Sequence, residues 1–361
     1  MMTERDAREL VDLATLTRWM DAEGIGSGPV TDVAVLGGGT QNVLVRFTRG
    51  GREFVFRGPP LHKRANSDAT MLREAAVLAG LVDSGVPHPS LVATCDDLDV
   101  LGRCFFLMES VRGFTATSEI PEPFASDVAL QRQMGLSMVD ALAALGRVDP
   151  EAAGVAHLGR PDGWLGRQVG RWQSQLASYA ELDGWPGPRL PGVDALAEWL
   201  AGHLPAHWEP GLIHGDFHLG NVMFSRDEAR VAAVVDWELA TIGDPLLDLG
   251  HLLATWPDPA DPRRTPLPTP VPGLPDRRTI IERYAGGSTR DLGAIYWYQA
   301  LACYRLAVIL EGSYARACAG KAPMDVGRRL HAVAESLIEQ GLAVAAALQG
   351  QSMNTEERRH R

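Results

Sequence analysis

The feature that most constrains this chain is a short strand-like stretch inside a long helical region. From about residue 127 onward the apolar residues recur mostly at helical spacing, and one interruption runs from Leu212 to Trp237. It contains His-Gly-Asp-Phe-His-Leu-Gly-Asn at residues 214–221 and Val-Val-Asp-Trp-Glu at residues 234–238. The pattern predicts Asp216 and Asn221 on a loop between two strands, and Asp236 at the end of the next strand.

These side chains suit the transfer of a phosphoryl group to an alcohol. The reaction needs a carboxylate that orients the hydroxyl and accepts its proton, and oxygen ligands that hold Mg²⁺ against the phosphates. Asp216 is the candidate base. Asn221 and Asp236 are the candidate metal ligands, because Mg²⁺ prefers hard oxygen atoms. The sequence therefore predicts ATP and Mg²⁺ as cofactors.

Two other interpretations of the block remain open from the residues alone. The stretch is rich in Asp, Asn and Gly, which are also the ordinary residues of a structural turn. His214, Asp216 and His218 are alternatively a zinc site, although no further ligand of suitable spacing follows them.

The chain before residue 110 has a different pattern, which predicts a small antiparallel sheet with one inserted helix. A first helix is expected over residues 8–22, and the inserted helix over 68–83. The predicted strands are Thr31–Leu36, Val43–Thr48, Glu53–Arg57, Leu91–Thr94 and Cys104–Glu109. In the second half, the chain is expected to be mostly helical over 127–145, 163–181, 193–203 and 276–349.

The predicted sheet carries candidate residues for nucleotide binding. The turn Gly37-Gly38-Gly39-Thr40 lies between the first two strands, where backbone amides can cover phosphates. Arg57 ends the third strand and is a candidate phosphate ligand, and Glu74 on the following helix is a candidate partner for it. The alternatives are an ordinary hairpin turn and a solvated surface ion pair, which would contribute little stability.

The order of these elements resembles the protein-kinase-like superfamily, and in particular its aminoglycoside phosphotransferase and choline kinase branch. Residues 214–221 resemble that branch's His-Gly-Asp-x-x-x-x-Asn, and Asp236-Trp237-Glu238 resembles its metal-binding motif. Residues 158–164 and 243–249 are similar to phosphotransferase-like proteins related to the kinase segment fused to some acyl-CoA dehydrogenases. The resemblance runs from about Val33 to Arg316.

The resemblance implies a bilobal α+β fold with ATP in the cleft between the lobes. Residues 1–108 would form the N-lobe, 109–113 the hinge, 114–349 the helical C-lobe and 350–361 a flexible tail. Met108 would line the adenine pocket, and backbone groups of Glu109 and Val111 would contact the adenine. Asp248 would anchor the catalytic loop. Arg57 stands where the superfamily usually has Lys, and it binds phosphate as a planar fork rather than as a point charge.

The acceptor is expected to be a small molecule with a hydroxyl group, such as a hydroxyacyl-CoA or another small alcohol. An aminoglycoside or an amino alcohol is the alternative, and a weakly active pseudokinase that binds nucleotide or acyl-CoA is another. Five arginines in the segments special to the closer relatives are candidates for binding an anionic acceptor, or else buried structural residues. They are Arg160, Arg167, Arg171, Arg305 and Arg316.

Composition excludes several other classes of protein. The formal net charge of −11 disfavours nucleic acid and anionic membranes as partners. The most apolar segment, residues 292–310, is interrupted by Arg305 and is too short for a membrane span. The N-terminus lacks the pattern of a signal peptide, and the four cysteines show no metal or redox spacing. A cytoplasmic protein is therefore expected, and the sequence carries no signal for its oligomeric state.

Overall fold

The computed structural model describes residues 7, 9–36, 42–60, 63, 65–257 and 270–359, with side chains to residue 349. Within these residues the chain forms an N-terminal lobe around an antiparallel sheet and a C-terminal lobe built mainly of helices. This confirms the bilobal α+β fold that the sequence predicted. No helix in the described part of the chain combines the length and the apolar character that crossing a membrane requires.

The elements follow one another as ten strands and ten helices among the described residues. The strands are β1 (Thr31–Val35), β2 (Val43–Arg49), β3 (Arg52–Gly58), β4 (Leu91–Cys95), β5 (Phe105–Glu109), β6 (Gly113–Phe114), β7 (Gly211–Ile213), β8 (Val222–Ser225), β9 (Val231–Val234) and β10 (Thr241–Gly243). The helices are α1 (Leu13–Ala22), α2 (Ser67–Gly80), α3 (Leu98–Leu101), α4 (Val128–Leu145), α5 (Trp164–Ser178), α6 (Val193–Gly202), α7 (Leu246–Thr255), α8 (Arg277–Gly287), α9 (Ile295–Cys318) and α10 (Met324–Arg359).

The N-lobe sheet has five strands in the order β1-β2-β3-β5-β4, and all neighbouring pairs are antiparallel. Successive side chains of a strand point to opposite faces. In β3, Phe54 and Phe56 therefore join the core beneath α1, whereas Val55 and Arg57 face the cleft between the lobes. The strand period thus sets the direction in which Arg57 points.

The strands predicted for this lobe are confirmed, each within one residue at either end. The inserted helix, predicted over 68–83, is α2 and ends at Gly80. It packs against β4 and β5 on the cleft side of the sheet. Its buried residues include Glu74, which the packing turns toward β3.

The C-lobe is organised around α9, whose residues are buried on most of its circumference. It packs chiefly against α7 and α10. Two small sheets lie beside these helices: β7 pairs with β10, and β6, β8 and β9 form the other. The loop that carries Asp216 and Asn221 joins β7 to β8, as the sequence predicted.

The end of the C-lobe follows the expected helical pattern in more detail than the sequence predicted. Residues 276–349, expected to be mostly helical, form three helices, because Gly286-Gly287 ends α8 and the stretch through Gly320 and Pro323 separates α9 from α10. The tail expected from residue 350 is helical backbone as far as Arg359. No proline interrupts residues 350–359, and they include Gln, Glu and Arg, which favour a helix.

Candidate active site

The loop between β7 and β8 is fixed from below by a buried carboxylate. Asp248, on α7, accepts hydrogen bonds from the backbone N–H groups of His214 (2.6 Å) and Gly215 (2.8 Å). Gly215 has a φ of +83°, and a Cβ there would lie 2.6 Å from the carbonyl oxygen of Leu239. Only glycine fits this close approach. The anchoring contact predicted for Asp248 is confirmed.

His214 is a structural residue of the loop. Its Nε2 donates to the carbonyl oxygen of Val235 (2.9 Å), and its Nδ1 accepts from the backbone N–H of Asp216 (3.2 Å). Burial lowers the pKa of His214 to about 4, so the ring is neutral at pH 7. The ring therefore joins the Asp216 loop to the strand end that precedes Asp236.

Asp216 lies at the centre of a group of hydrogen-bond donors. The Asn221 Nδ2 donates to its Oδ2 (3.0 Å), and the His218 Nε2 lies 3.4 Å from the same oxygen. The His251 Nε2, from α7, lies 3.2 Å from its Oδ1. Burial disfavours the charge of Asp216, but the contacts with His218 and His251 outweigh burial and lower its pKa. Asp216 is therefore ionised at neutral pH.

A second cluster of charges lies across the cleft between the lobes. The Arg57 Nε donates to the Glu74 Oε2 (2.8 Å), and its Nη2 to the Asp236 Oδ1 (2.6 Å). Burial disfavours the charged form of Arg57, but the attraction of Glu74 and Asp236 outweighs burial and raises the pKa of Arg57. The pairing predicted between Arg57 and Glu74 is present, and it is buried rather than solvated. Asn42 adds a bridge to Glu238 through its Nδ2 (3.1 Å).

Most of the predicted nucleotide-site residues line one pocket of about 420 Å³. They are Arg57, Glu74, Met108, Glu109, Val111, Asn221 and Asp236. Gly37, Gly38, Gly39 and Thr40 lie outside the described residues. The Glu109 backbone N–H donates to the carbonyl oxygen of Ser90 (2.9 Å), so its own carbonyl is the group left for a ligand.

The donor atoms around the pocket fit Mg²⁺. Asn221 uses its Nδ2 on Asp216, which leaves its Oδ1 for a cation, and Asp236 has its Oδ2 beyond the atom that Arg57 contacts. Mg²⁺ is usually held by one or two protein oxygens together with phosphates and waters. The zinc alternative is not supported, because the His214 Nε2 already donates to Val235. Across the described residues, no three His, Cys, Asp or Glu side chains are gathered for a metal ion.

A second pocket, of about 690 Å³, opens on the other side of Asp216. Its polar end holds Asp216, His218, His251 and Glu238. Its walls are apolar side chains of α9 and α10, and the exposed Arg329 lies at its edge. Apolar wall residues are Leu306, Ile309, Leu310, Leu330 and Val333. Neither His251 nor Arg329 lies in a motif, and neither was predicted from the sequence.

The arginines proposed to bind the acceptor do not line this pocket. Arg167 donates to carbonyl oxygens of its own turn, at Asp162 and Arg160. Arg171 and the buried Arg305 lie over the ring of Trp172, at 5.2 and 5.3 Å from its centroid. Arg160 and Arg316 are exposed elsewhere. The assignment was wrong because helical spacing alone did not tell which side of each helix faces the cleft.

Known proteins resemble this chain over most of its length. The model of the phosphotransferase enzyme family matches residues 32–266. Acyl-CoA dehydrogenase family member 11 of Gallus gallus is 30% identical over 319 residues, which cover 86% of this chain and 40% of that protein. The chain therefore spans less than half the length of this relative.

Solved structures share the fold. One is a protein of Ralstonia eutropha JMP134 assigned provisionally to the aminoglycoside phosphotransferases. It is 28% identical, with a TM-score of 0.78 over 93% of this chain and 99% of that one. A thermostable mutant of aminoglycoside phosphotransferase APH(4)-Ia, in a ternary complex with AMP-PNP and hygromycin B, is 16% identical with a TM-score of 0.56, over 89% of this chain and 98% of that one. The latter likeness is one of fold alone.

Proposed function

Because this chain belongs to the phosphotransferase enzyme family, we propose that it transfers the γ-phosphate of ATP to a hydroxyl group of a small molecule. The observation that carries the proposal is the way two pockets meet at one loop. Gly220 lines both, with Asp216 in one pocket and Asn221 and Asp236 in the other. A nucleotide in the second pocket and a hydroxyl compound in the first would meet beside Asp216.

Each charged residue has a role in this proposal. Asp216 orients the acceptor hydroxyl and takes its proton as the new O–P bond forms. Asn221 and Asp236 hold Mg²⁺, which when bound neutralises charge on the phosphates. Arg57, held by Glu74 and Asp236, contacts the nucleotide phosphates through its remaining N–H groups. Met108 and the backbone of Glu109 and Val111 contact the adenine.

The second pocket, of about 690 Å³, is called the acceptor pocket from here on, and its lining favours an amphipathic molecule. Apolar walls favour an apolar body, which gains from leaving water. Arg329 makes no hydrogen bond or ion pair with another residue in the described part of the chain, and it is exposed at the pocket's edge. A free cation there favours an acceptor with a carboxylate or phosphate group. We therefore propose a hydroxyacyl-CoA-like alcohol as the acceptor.

An aminoglycoside fits the same pocket less well. A polyamine needs several carboxylates at contact distance, and the pocket lining offers Asp216 and Glu238. Glu238 is partly buried and its pKa is raised, first by burial and then by Asp236. Two neighbouring carboxylates beside the exposed Arg329 are a poor match for a ligand with several positive charges.

The test is a screen for ADP release with MgATP and a panel of hydroxyacyl-CoAs, hydroxy fatty acids and aminoglycosides. We expect turnover with an anionic apolar alcohol and loss of that turnover in Asp216→Asn. Arg329→Gln should raise KM for this acceptor about tenfold, the loss expected for one charged hydrogen bond, and leave KM for ATP unchanged. Turnover with aminoglycosides alone would assign the other acceptor class. The absence of any turnover that depends on Asp216 would refute the phosphotransfer proposal.

A further inference from the structure

The catalytic-loop aspartate and its anchor are held by one face of α7. Asp248 and His251 are three residues apart on this helix and therefore lie on the same side of it. Both are fully buried, at 0% and 1% exposure. Asp248 binds the backbone of His214 and Gly215, and the His251 Nε2 lies 3.2 Å from the Asp216 Oδ1. One helix face thus contacts three consecutive residues of the loop.

The donors around Asp216 divide unequally between its two oxygens. Oδ2 has Asn221 at 3.0 Å and His218 at 3.4 Å. The His218 Nδ1 accepts from the backbone N–H of Gly220 (2.9 Å), so its proton is on Nε2 and that atom is a donor. Oδ1 has one neighbour of this kind in the described residues, His251. Because a carboxylate accepts about four hydrogen bonds, one position remains open, and it is on Oδ1.

We propose that His251 is a positioning residue for phosphoryl transfer, which orients the Asp216 oxygen that receives the acceptor hydroxyl. This inference rests on the proposed function and extends it to a residue outside the motifs. His251 lines the acceptor pocket together with Asp216. Its Nε2 is buried without a hydrogen-bond partner among the described residues and lies 3.2 Å from Oδ1, so a small rotation of either side chain would complete the hydrogen bond that orients this oxygen.

The burial of His251 suits this role. Burial lowers its pKa, so the ring is a neutral donor and does not compete as a cation for the acceptor's site. The position on α7 is rigid, because the neighbouring turns of the helix are buried and pack against α9. Loss of the donor would let the Asp216 carboxylate rotate away from the geometry needed for attack.

Two isosteric substitutions test whether His251 acts through a hydrogen-bond donor at the position of Nε2 or only by filling the space. In His251→Gln the side-chain amide nitrogen reaches the position of the ring Nε2, and in His251→Asn it reaches that of Nδ1. His251→Leu fills the space without a donor. We expect His251→Gln to keep most of the wild-type kcat. The other two should lower kcat about tenfold to a hundredfold, the effect of one lost buried hydrogen bond, with KM for ATP unchanged.

The assay is ADP release from MgATP without an added acceptor, with water in place of the hydroxyl compound. Equal rates in all three variants, or a rate for His251→Leu that matches that of His251→Gln, would overturn the proposal. Circular dichroism establishes that each variant folds.

A second measurement does not depend on turnover. Long-range ¹H–¹⁵N NMR of the wild-type protein reports the tautomer of each histidine. We expect the proton of His251 on Nε2 at pH 7, and a proton on Nδ1 instead would overturn the inference even if every variant folds poorly. If Asp216→Asn releases ADP as fast as the wild type, the proposed catalytic role of Asp216 fails. The NMR result then still decides whether His251 holds that carboxylate.

Discussion

Acidification should weaken the fold through His214, whose two ring nitrogens are both engaged in the buried loop. In the neutral ring, Nδ1 accepts a hydrogen bond from the backbone N–H of Asp216. A proton added to Nδ1 would point at this N–H group, so the hydrogen bond would be lost. The pKa of His214 is lowered by burial from 6.5 to about 4. A depressed pKa means that the unfolded chain binds the proton more readily, so the wild-type protein loses stability as the pH falls through 6.5 toward 4.

The size of this loss follows from the two pKa values. The folded and unfolded states differ in proton binding by a free energy of about 2 kcal/mol at pH 5 and about 3 kcal/mol at pH 4. The matched control is His214→Gln, whose amide nitrogen reaches the position of Nε2 and can still donate to Val235 but does not titrate. At pH 7.5 this variant should be less stable than the wild type by about 1–3 kcal/mol, because the N–H of Asp216 loses its acceptor.

Urea unfolding of both proteins between pH 7.5 and pH 4.5 measures the difference directly. Other titrating groups, including Glu74 and Asp248, whose pKa values burial raises, are present in both proteins and largely cancel. We expect the stability advantage of the wild type to shrink by about 2 kcal/mol between pH 7.5 and pH 5. An advantage that stays constant over this range would refute the reasoning, since it would mean that His214 titrates alike in both states.

Three further predictions concern the charged residues of the two pockets. Asp216→Asn should lower turnover by about 10²–10⁴-fold, the usual effect of losing a general base, with ATP binding by calorimetry nearly unchanged. Asp236→Ala should remove the Mg²⁺ dependence of ATP binding, and Asn221→Ala should weaken this dependence. Calorimetry of ATP binding with and without Mg²⁺ measures both effects. A Mg²⁺ dependence that persists in Asp236→Ala would contradict the proposed metal site. Arg57→Ala should raise KM for ATP strongly, whereas Arg57→Lys should retain much of the activity. Equal KM values for the wild type and Arg57→Ala would argue against a contact between Arg57 and the phosphates.

The parts of the site that sequence predicted are those set by local pattern. The strand period turns Arg57 toward the cleft, and the next helix brings Glu74 to within 2.8 Å of it. The loop from Asp216 to Asn221 is short and bounded by strands, so its residues meet wherever the hairpin forms. Asp236 follows β9, which pairs with β8 and so returns to the same loop.

The parts that sequence missed come from the packing of distant helices. His251 reaches Asp216 only because α7 lies beneath the loop, and Arg329 reaches the acceptor pocket only because α10 folds back on α9. Arg305 is the opposite case, because it was a candidate for binding the acceptor and does not line the pocket. It lies on a helix buried on most of its circumference, so periodicity did not tell that it faces Trp172 rather than the pocket.

The backbone at Asp236 lies in the left-handed region, with φ of +68° and ψ of +62°. A residue other than glycine is uncommon there, although Asp and Asn tolerate this conformation better than most. Glycine adopts the same backbone without strain, but it would also take one of two carboxylate partners away from the buried Arg57. That substitution would remove the carboxylate that we propose as a magnesium ligand. The strained backbone at this position is therefore retained together with the carboxylate, which serves both Arg57 and the proposed metal site.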